Sequence, residues 1–283
     1  MSTRELVAAG AAEWGLQLSP EALNAFETYA SFLTEQNAVM DLTAVSGEEE
    51  TARRHFLDSL SLLRVADFTG KRVIDVGSGA GFPGLPLKLA VPDLSLTLLD
   101  AQQKRVDFLA ALCKKLGTEA ECLHARAEEQ ALKPDYRDGY DYAVSRAVAQ
   151  LNVLCELTLP FVKPGGALLA MKAKDCAAEV AEAANAVKTL GAVLEDVKTF
   201  AVGDIERSVV VIRKVSPAPA GYPRRFARIQ KKPLLARHST GTRSRRFESA
   251  PARMCPGCSC PNRTRCAGLR FGFGIEEPLE KYL

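Results

Sequence analysis

The chain has 283 residues and carries 37 Lys and Arg against 34 Asp and Glu, a formal net charge of +3. Its hydrophobic share of 47% is ordinary for a folded protein and excludes a chain too polar to form a core. No apolar run approaches the roughly 18 residues of a membrane helix. The N-terminal stretch contains Glu5 and Glu13 and is atypical of a signal peptide. We expect one folded domain with an appendage, located in the cytoplasm.

Residues 1–66 predict a helical cap. Ser19 and Pro20 form a helix start, because serine caps a helix and proline suits the first helical position. Apolar residues then recur at helical spacing at Leu23, Phe26, Ala30 and Leu33. A second amphipathic stretch runs over about 48–65. This stretch also holds a polar group, Arg54, His55 and Asp58, which we interpret either as a lid over a ligand or as a hydrogen-bonded anchor between helix and sheet.

Residues 67–215 predict an α/β domain. Short apolar runs alternate with helical patterns, which indicates a seven-stranded, mostly parallel sheet with helices on both faces. The last two strands have no long helix between them, so we expect an antiparallel hairpin there. The predicted strands are 71–76, 94–99, 119–123, 140–145, 166–171, 192–202 and 207–213, and the predicted helices are 83–90, 103–116, 150–160 and 175–190.

The most informative motif follows the first strand. Gly77, Gly79 and Gly81 fall within five residues, and glycine allows positive φ and a close approach of ligand to backbone. The second strand ends at Asp100, 23 residues after Gly77. An acid near this spacing binds ribose hydroxyls in nucleotide-binding folds. The unit therefore predicts a site for a cofactor that contains a nucleoside.

Two cofactors compete for this site. Counted from Gly77, the dinucleotide pattern fails, because Phe82 occupies the third glycine position. Counted from Gly79 it fits formally, but Pro83 removes an N–H group that a pyrophosphate needs at the helix start. The order Asp75-x-Gly77-x-Gly79, followed by Asp100, instead resembles class I S-adenosylmethionine (SAM) methyltransferases. A nicotinamide-dependent oxidoreductase stays open as the alternative.

Seven ordered blocks carry a more specific resemblance, which covers residues 1–234 or so. The blocks are NAVMDLTAV (37–45), RRHFLDSL (53–60), DVGSGAGFPGLPL (75–87), LLDAQQKRVDFL (98–109), ARAEE (125–129), VSRAVAQL (144–151) and AMKAK (170–174). Together they resemble the bacterial small-subunit rRNA methyltransferase G family, also called glucose-inhibited division protein B. Two departures lie in one loop: Gln36 stands where the family commonly has Trp, and Asp41 where it usually has Asn.

The resemblance implies that SAM is the cofactor and that N7 of a guanine in 16S rRNA is methylated. N7 carries a lone pair at neutral pH, so no general base is required, and the enzyme has mainly to align the reactants. The implied cofactor-binding residues are Gly77, Gly79, Phe82, Asp100, Ala127, Glu128 and Arg146. The 16S rRNA or small subunit is the expected partner, with no membrane contact, and the enzyme is expected to be a monomer. An RNA-binding assembly factor that merely keeps the fold is a further alternative.

Arg146 and Lys172 are candidate catalytic residues because each follows a predicted strand. The carboxyl ends of parallel strands face the ligand crevice in open α/β sheets. Arg146 would contact the cofactor or the RNA, and Lys172 the rRNA backbone, although an ordinary lysine at a strand end fits as well.

The C-terminal part changes composition. Residues 235–283 hold eight Arg and one Lys against four Glu, a balance of +5, which leaves −2 for residues 1–234. RNA contacts must therefore come from local patches, and one candidate lies in the basic end 216–234: Arg224, Arg225, Arg228, Lys231 and Lys232. We interpret 235–283 as a disordered extension. Its cysteine cluster predicts zinc only as an alternative, at Cys255, Cys258, Cys260 and Cys266.

Overall fold

The computed structural model describes residues 1–235. The extension and its four clustered cysteines lie outside these residues, apart from Leu235. Among the described residues, no helix combines the length and apolarity needed to cross a membrane. The same part of the chain contains no group of three His, Cys, Asp or Glu side chains arranged to hold a metal.

The N-terminal helices form as the sequence predicts. Ser19 caps the long helix α2 by accepting a hydrogen bond from the Ala22 N–H, 3.1 Å away. The second stretch is a continuous helical run whose middle widens into a π-helix, Ala52–Leu57, and whose end tightens into a 3₁₀ turn, Ser61–Arg64. The α-helical parts are α1 (Thr3–Glu13), α2 (Pro20–Met40), α3 (Glu48–Thr51) and α4 (Asp58–Leu60).

Seven strands form one sheet, in the order β3-β2-β1-β4-β5-β7-β6. The first five are parallel, and β7 lies antiparallel between β5 and β6, so the predicted hairpin is confirmed. The α/β fold class is confirmed as well. The strands are β1 (Arg72–Val76), β2 (Ser95–Asp100), β3 (Glu121–His124), β4 (Tyr140–Arg146), β5 (Val162–Ala173), β6 (Ala192–Val202) and β7 (Ile205–Lys214).

Helices cover both faces of the sheet and match the predicted positions within a few residues. They are α5 (Gly84–Ala90), α6 (Gln103–Leu116), α8 (Leu151–Thr158) and α9 (Ala177–Thr189). Two short helices were not predicted: α7 (Ala127–Gln130) and α10 (Phe226–Lys231). Strand β5 also begins four residues earlier than expected, because Lys163-Pro164-Gly165-Gly166 suggests a turn and Val162 nevertheless pairs with Tyr140.

Two apolar cores sandwich the sheet. One joins the cap helices to the sheet, with Phe26, Phe56 and Leu85 all fully buried. The other lies beneath α8 and α9 and includes Ile229 of α10. The cap is therefore packed on the sheet through a shared core, and it lies beside the glycine-rich turn. Cys113, Cys155 and Cys176 are buried free thiols that pack as small apolar residues, and Cys122 is half-buried.

Candidate functional site: two adjoining cavities

Two cavities meet at the carboxyl ends of the parallel strands. The first, of about 570 Å³, is lined by residues that follow β1, β2, β3 and β4. Its volume lies in the range of small-molecule sites. The second, of about 440 Å³, lies between the cap and the ends of β4, β5 and the start of β7. His55, Arg146 and Ala147 line both cavities, so the two open onto a common boundary.

The first cavity brings together the seven residues that the resemblance implies for the cofactor: Gly77, Gly79, Phe82, Asp100, Ala127, Glu128 and Arg146. Their positions follow from the topology, because parallel strands deliver their carboxyl ends to one edge of the sheet. Lys172 lines only the second cavity.

The glycine-rich turn forms the floor of the first cavity. Gly77, Gly79 and Gly81 all have positive φ, at 76°, 57° and 102°, which favours glycine over other residues. The N–H groups of Gly77 and Ser78 both donate to the carbonyl of Leu99, at 2.8 and 3.1 Å. These bonds tie the turn to β2, and so to the acid at the end of that strand.

Asp75, at the end of β1, is hydrogen-bonded to the start of the helix that follows this turn. Its side chain is fully buried, and Oδ2 accepts a hydrogen bond of 2.8 Å from the Gly84 N–H at the start of α5. Oδ1 has no hydrogen-bond partner. Burial raises the pKa of Asp75 to about 7, against the lowering effect of the Gly84 bond. Asp75 does not line either cavity, which favours a capping role over ligand contact.

Asp100 lies at the centre of the first cavity. Its Oδ2 accepts from the Gly79 N–H at 3.0 Å and its Oδ1 from the Gln102 N–H at 2.9 Å. These bonds fix the carboxylate plane, and each oxygen keeps a further lone pair for a ligand hydroxyl. Arg105 is 3.6 Å from Oδ2 and adds a positive charge at the rim.

The other end of the first cavity is formed by α7 and α10. Glu128 is buried and its Oε1 accepts from the Arg126 Nε at 2.6 Å. The Arg126 guanidinium in turn lies 4.5 Å from the ring centroid of Phe226. Sequence reasoning missed Phe226, because nothing in the local pattern around it predicts that α10 folds back onto the site. Arg224, two residues earlier, holds it there by pairing with the buried Glu156 at 2.6 Å.

Phe82 packs between the cap and the cavity. Its ring stacks on Tyr29, with centroids 5.4 Å apart and planes inclined by 2°. His55 stacks on it at 4.4 Å, and the Arg146 guanidinium lies 4.9 Å from its centroid. Phe82 therefore closes the pocket beside the glycines, as the resemblance implies, and it also orients two polar side chains at the boundary of the cavities.

A charged cluster occupies that boundary. Asp58 Oδ2 accepts from Arg146 at 2.8 Å, and its Oδ1 accepts from the Nε of Arg207 at 3.0 Å. Arg146 also donates to the carbonyl of Arg54, at 3.0 Å, and lies 3.1 Å from the Nδ1 of His55. Arg207 was not singled out from the sequence, because it lies in an ordinary strand far along the chain.

His55 is held as a neutral imidazole. Nδ1 lies 3.1 Å both from the Arg146 guanidinium and from the carbonyl of Arg54. A guanidinium can only donate, and that carbonyl already accepts from Arg146, so we assign a lone pair to Nδ1 and the ring proton to Nε2. Nε2 then donates to Thr43 Oγ1, 2.8 Å away. Burial and the charge of Arg146 lower the pKa of His55 to about 4.

The loop after α2 reaches the site through Thr43. Asn37 Oδ1 accepts from the N–H groups of Leu42 and Thr43, at 2.7 and 2.8 Å, and Asn37 Nδ2 donates to the Thr43 carbonyl at 2.8 Å. Asp41 adopts a left-handed backbone with φ 51°. Asn37 therefore shapes the loop, and Thr43 connects it to His55, even though Gln36 and Asp41 depart from the family pattern.

Lys172 lines the second cavity, and its ammonium group is hydrogen-bonded to other residues of the protein. Its Nζ donates to the carbonyl of Ala149 at 2.8 Å and to Glu179 Oε1 at 2.6 Å. Of the predicted basic patch, Arg224 is engaged by Glu156, whereas the other four members are exposed: Arg225, Arg228, Lys231 and Lys232.

The first cavity fits SAM better than a dinucleotide. At the start of α5, the N–H groups of Gly81 and Phe82 donate to Ser78, that of Gly84 to Asp75 and that of Leu85 to Gly81. Pro83 has no N–H. These N–H groups are therefore already bonded and do not offer a pyrophosphate site, whereas SAM has no phosphate and its ribose hydroxyls suit Asp100.

Comparisons with known proteins also indicate a methyltransferase. A family model described as rRNA small subunit methyltransferase G matches residues 22–210. The ribosomal RNA small subunit methyltransferase G of Acetivibrio thermocellus is 41% identical over 237 residues, which cover 83% of this chain and 98% of that protein. Its counterpart from Lachnoclostridium phytofermentans is 43% identical over 225 residues, 78% and 93% of the two chains.

A solved SAM-dependent methyltransferase from Aquifex aeolicus is 19% identical, with a TM-score of 0.43, covering 57% of this chain and 93% of that one. The sequence matches span nearly the full length of the two relatives. The chain belongs to the rRNA small subunit methyltransferase G family.

Proposed function

We propose that this enzyme transfers a methyl group from SAM to N7 of a guanine in 16S rRNA. Membership of the family makes it a SAM-dependent methyltransferase, and the names of its relatives supply the small-subunit rRNA as substrate. The choice of guanine N7 rests on the resemblance of the seven sequence blocks. The observation that carries the proposal is the pair of cavities that meet at Arg146, one suited to a nucleoside cofactor and one open beside it.

SAM, when bound, supplies a methyl group on a sulfonium, which is a strong electrophile. In our proposal Asp100 binds the ribose hydroxyls, Ala127 and Glu128 contact the adenine, and Phe226 closes that end of the cavity. Gly77 and Gly79 leave room for the methionine moiety, and Phe82 excludes water beside it. These residues would hold the cofactor at both ends and so restrict the position of its methyl group relative to the substrate.

The second cavity would hold the guanine. Its N7 attacks with an existing lone pair, so no side chain has to remove a proton. This agrees with the site, where the one imidazole, His55, is engaged on both nitrogens. The purine gains positive charge during transfer, and a neutral His55 adds none. The carboxylate of Asp58 offsets one of the two nearby arginines.

The RNA backbone would be bound by exposed cations outside the cavities. Arg225, Arg228, Lys231 and Lys232 lie on and beside α10, whose first residue lines the cofactor cavity. Such contacts supply affinity and orientation rather than base selectivity. Lys172 is a further candidate, with part of its donor capacity already taken by Glu179. We also propose that the enzyme acts as a monomer in the cytoplasm, where bacterial rRNA is found.

A methyl-transfer assay tests this proposal. Purified enzyme is incubated with methyl-labelled SAM and small ribosomal subunits from a strain that lacks the enzyme, and rRNA is then separated from ribosomal protein. We expect label in the 16S rRNA and none in large subunits treated in parallel. Binding of SAM without transfer to RNA would favour an assembly factor, and binding of NAD rather than SAM would favour the oxidoreductase.

A further inference from the structure

We propose that Asp58 is a positioning residue for methyl transfer, which holds Arg146 and Arg207 as a fixed pair on the wall of the second cavity. The inference rests on the proposed function and concerns how its site is assembled. Asp58 comes from the cap, Arg146 from the end of β4 and Arg207 from the start of β7. One carboxylate therefore joins three elements that are distant in sequence.

The geometry of Asp58 supports a shared counter-ion. The side chain is 3% exposed, and each of its oxygens faces a different guanidinium, Oδ2 toward Arg146 at 2.8 Å and Oδ1 toward Arg207 at 3.0 Å. Two guanidinium groups this close repel each other without an intervening negative charge. Charge-assisted bonds to a buried carboxylate are also strongly directional, so Asp58 sets both the spacing and the orientation of the pair.

Arg146 and Arg207 keep N–H groups with which to bind a substrate. The Nη1 atom of Arg146 donates its two hydrogens to Asp58 and to the Arg54 carbonyl, and Nη2 donates one hydrogen to His55. A guanidinium has five N–H groups, so two remain. Arg207 uses only its Nε toward Asp58 within residues 1–235. Both side chains line the second cavity, where acceptor oxygens of the target nucleotide, on phosphate or at guanine O6, would meet them.

The charge balance at this boundary also depends on Asp58. The SAM sulfonium is positive, and the methylated purine becomes positive. Arg146 and Arg207 contribute two positive charges, and the Asp58 carboxylate between them reduces the net charge of the cluster to one. Loss of the carboxylate would increase the net positive charge beside the reacting atoms. It would also free Arg146 to rotate and donate a hydrogen bond to the N7 lone pair, which would then be less available for methyl transfer. Both effects fall on the transfer step more than on cofactor binding.

The test compares Asp58→Asn with a matched control, Asp138→Asn. Asp138 pairs with the buried Lys214 at the opposite edge of the sheet, and its φ of 49° is well tolerated by asparagine. We expect Asp58→Asn to lower kcat about tenfold or more at saturating SAM and small subunits, with SAM affinity changed by less than about threefold. Asp138→Asn should keep kcat. Asp58→Glu, which restores the charge, should recover part of the loss even if it is no more heat-stable than Asp58→Asn.

A second readout does not depend on activity. The chain has three histidines, so NMR of the imidazole nitrogens can follow His55 directly. In the parent protein we expect the proton on Nε2, with Nδ1 accepting from Arg146. In Asp58→Asn we expect Arg146 to leave Nδ1 and the tautomer to become mixed, whereas Asp138→Asn keeps the parent signal.

Unchanged kcat in Asp58→Asn, or a loss equal to that of Asp138→Asn and in step with the melting temperature, would overturn the proposal. So would an unchanged His55 tautomer. A parent enzyme that methylates no rRNA would contradict the proposed function instead, and in that case the NMR comparison still decides whether Asp58 positions Arg146.

Discussion

Asp58 and Arg146 form an ion pair of 2.8 Å although 88 residues separate them in the chain. The contact links the helical cap to the end of β4, and it places a guanidinium where the first and the second cavity meet. The site is thus built from the cap as well as from the methyltransferase sheet, which gives the cap a role beyond covering apolar surface.

Asp100→Ala should weaken SAM binding by about 10- to 100-fold, because charge-assisted hydrogen bonds of this kind contribute about 1.5–3 kcal/mol. Calorimetric titration with SAM measures the effect. Asp107→Ala removes an exposed carboxylate from α6, the helix that follows Asp100, and should leave the affinity unchanged. An Asp100→Ala protein that binds SAM as tightly as the parent would exclude the ribose contact.

Phe226→Ala should weaken SAM binding by roughly tenfold, because the ring closes one end of the cavity and carries the Arg126 guanidinium on its face. Leu132→Ala is the matched control, since Leu132 is exposed and lines only a neighbouring depression beside α7. Equal affinities for the two variants would show that α10 does not form part of the cofactor site.

The acid dependence of stability should report His55. Its pKa is about 4 in the folded protein against 6.5 for a free imidazole, so the unfolded chain takes up the proton first as the pH falls. The contribution of His55 is fully present above about pH 6.5 and is lost progressively toward pH 4, by about 3 kcal/mol in total. The groups in contact with the ring are Arg146, Thr43, Phe82 and the carbonyl of Arg54, and Arg146 is the charged one among them.

His55→Asn isolates this effect, because the asparagine oxygen can still accept from Arg146 but does not titrate. We expect the difference in free energy of unfolding between parent and variant to shrink as the pH falls from 7 to 4. Taking the difference is necessary because Asp75 acts in the opposite sense: its raised pKa makes stability fall as the pH rises from about 4 to about 7. A difference that stays constant over this range would contradict the buried neutral imidazole.

Removing charge from α10 should reduce the salt dependence of RNA binding. Arg228→Gln and Lys231→Gln together should lower the magnitude of the slope of log K against log salt by about 1–2, since each phosphate contact contributes about 0.7–0.9. Lys198→Gln, on the edge strand β6, is the control for loss of an exposed cation elsewhere. Identical slopes for all proteins would place the RNA backbone away from α10.

The sequence predicts the parts of the site that depend on local pattern. The glycine turn and Asp100 belong to one strand–turn–helix–strand unit, so their spacing in the sequence alone indicates that they lie close together. The order of the strands then brings Ala127, Glu128 and Arg146 to the same edge. These residues are predictable because parallel topology makes their position nearly independent of side-chain packing.

The parts that were missed depend on contacts between distant segments. Arg207 reaches Asp58 across 149 residues, and no periodicity signals such a pair. Helix α10 has six residues, too few to form without tertiary support, and it is held by the Arg224–Glu156 pair and by burial of Ile229. The roles of His55 and Thr43 likewise follow only from their meeting in space.

Mass spectrometry of the RNA product tests most directly whether the enzyme transfers a methyl group from SAM to N7 of one guanine. Small subunits lacking the modification are treated with enzyme and SAM, and the 16S rRNA is digested and its nucleosides and fragments are identified. We expect 7-methylguanosine at a single position, in strongly reduced amount with Asp100→Ala. Methylation at another atom, at another base or at many positions would contradict it.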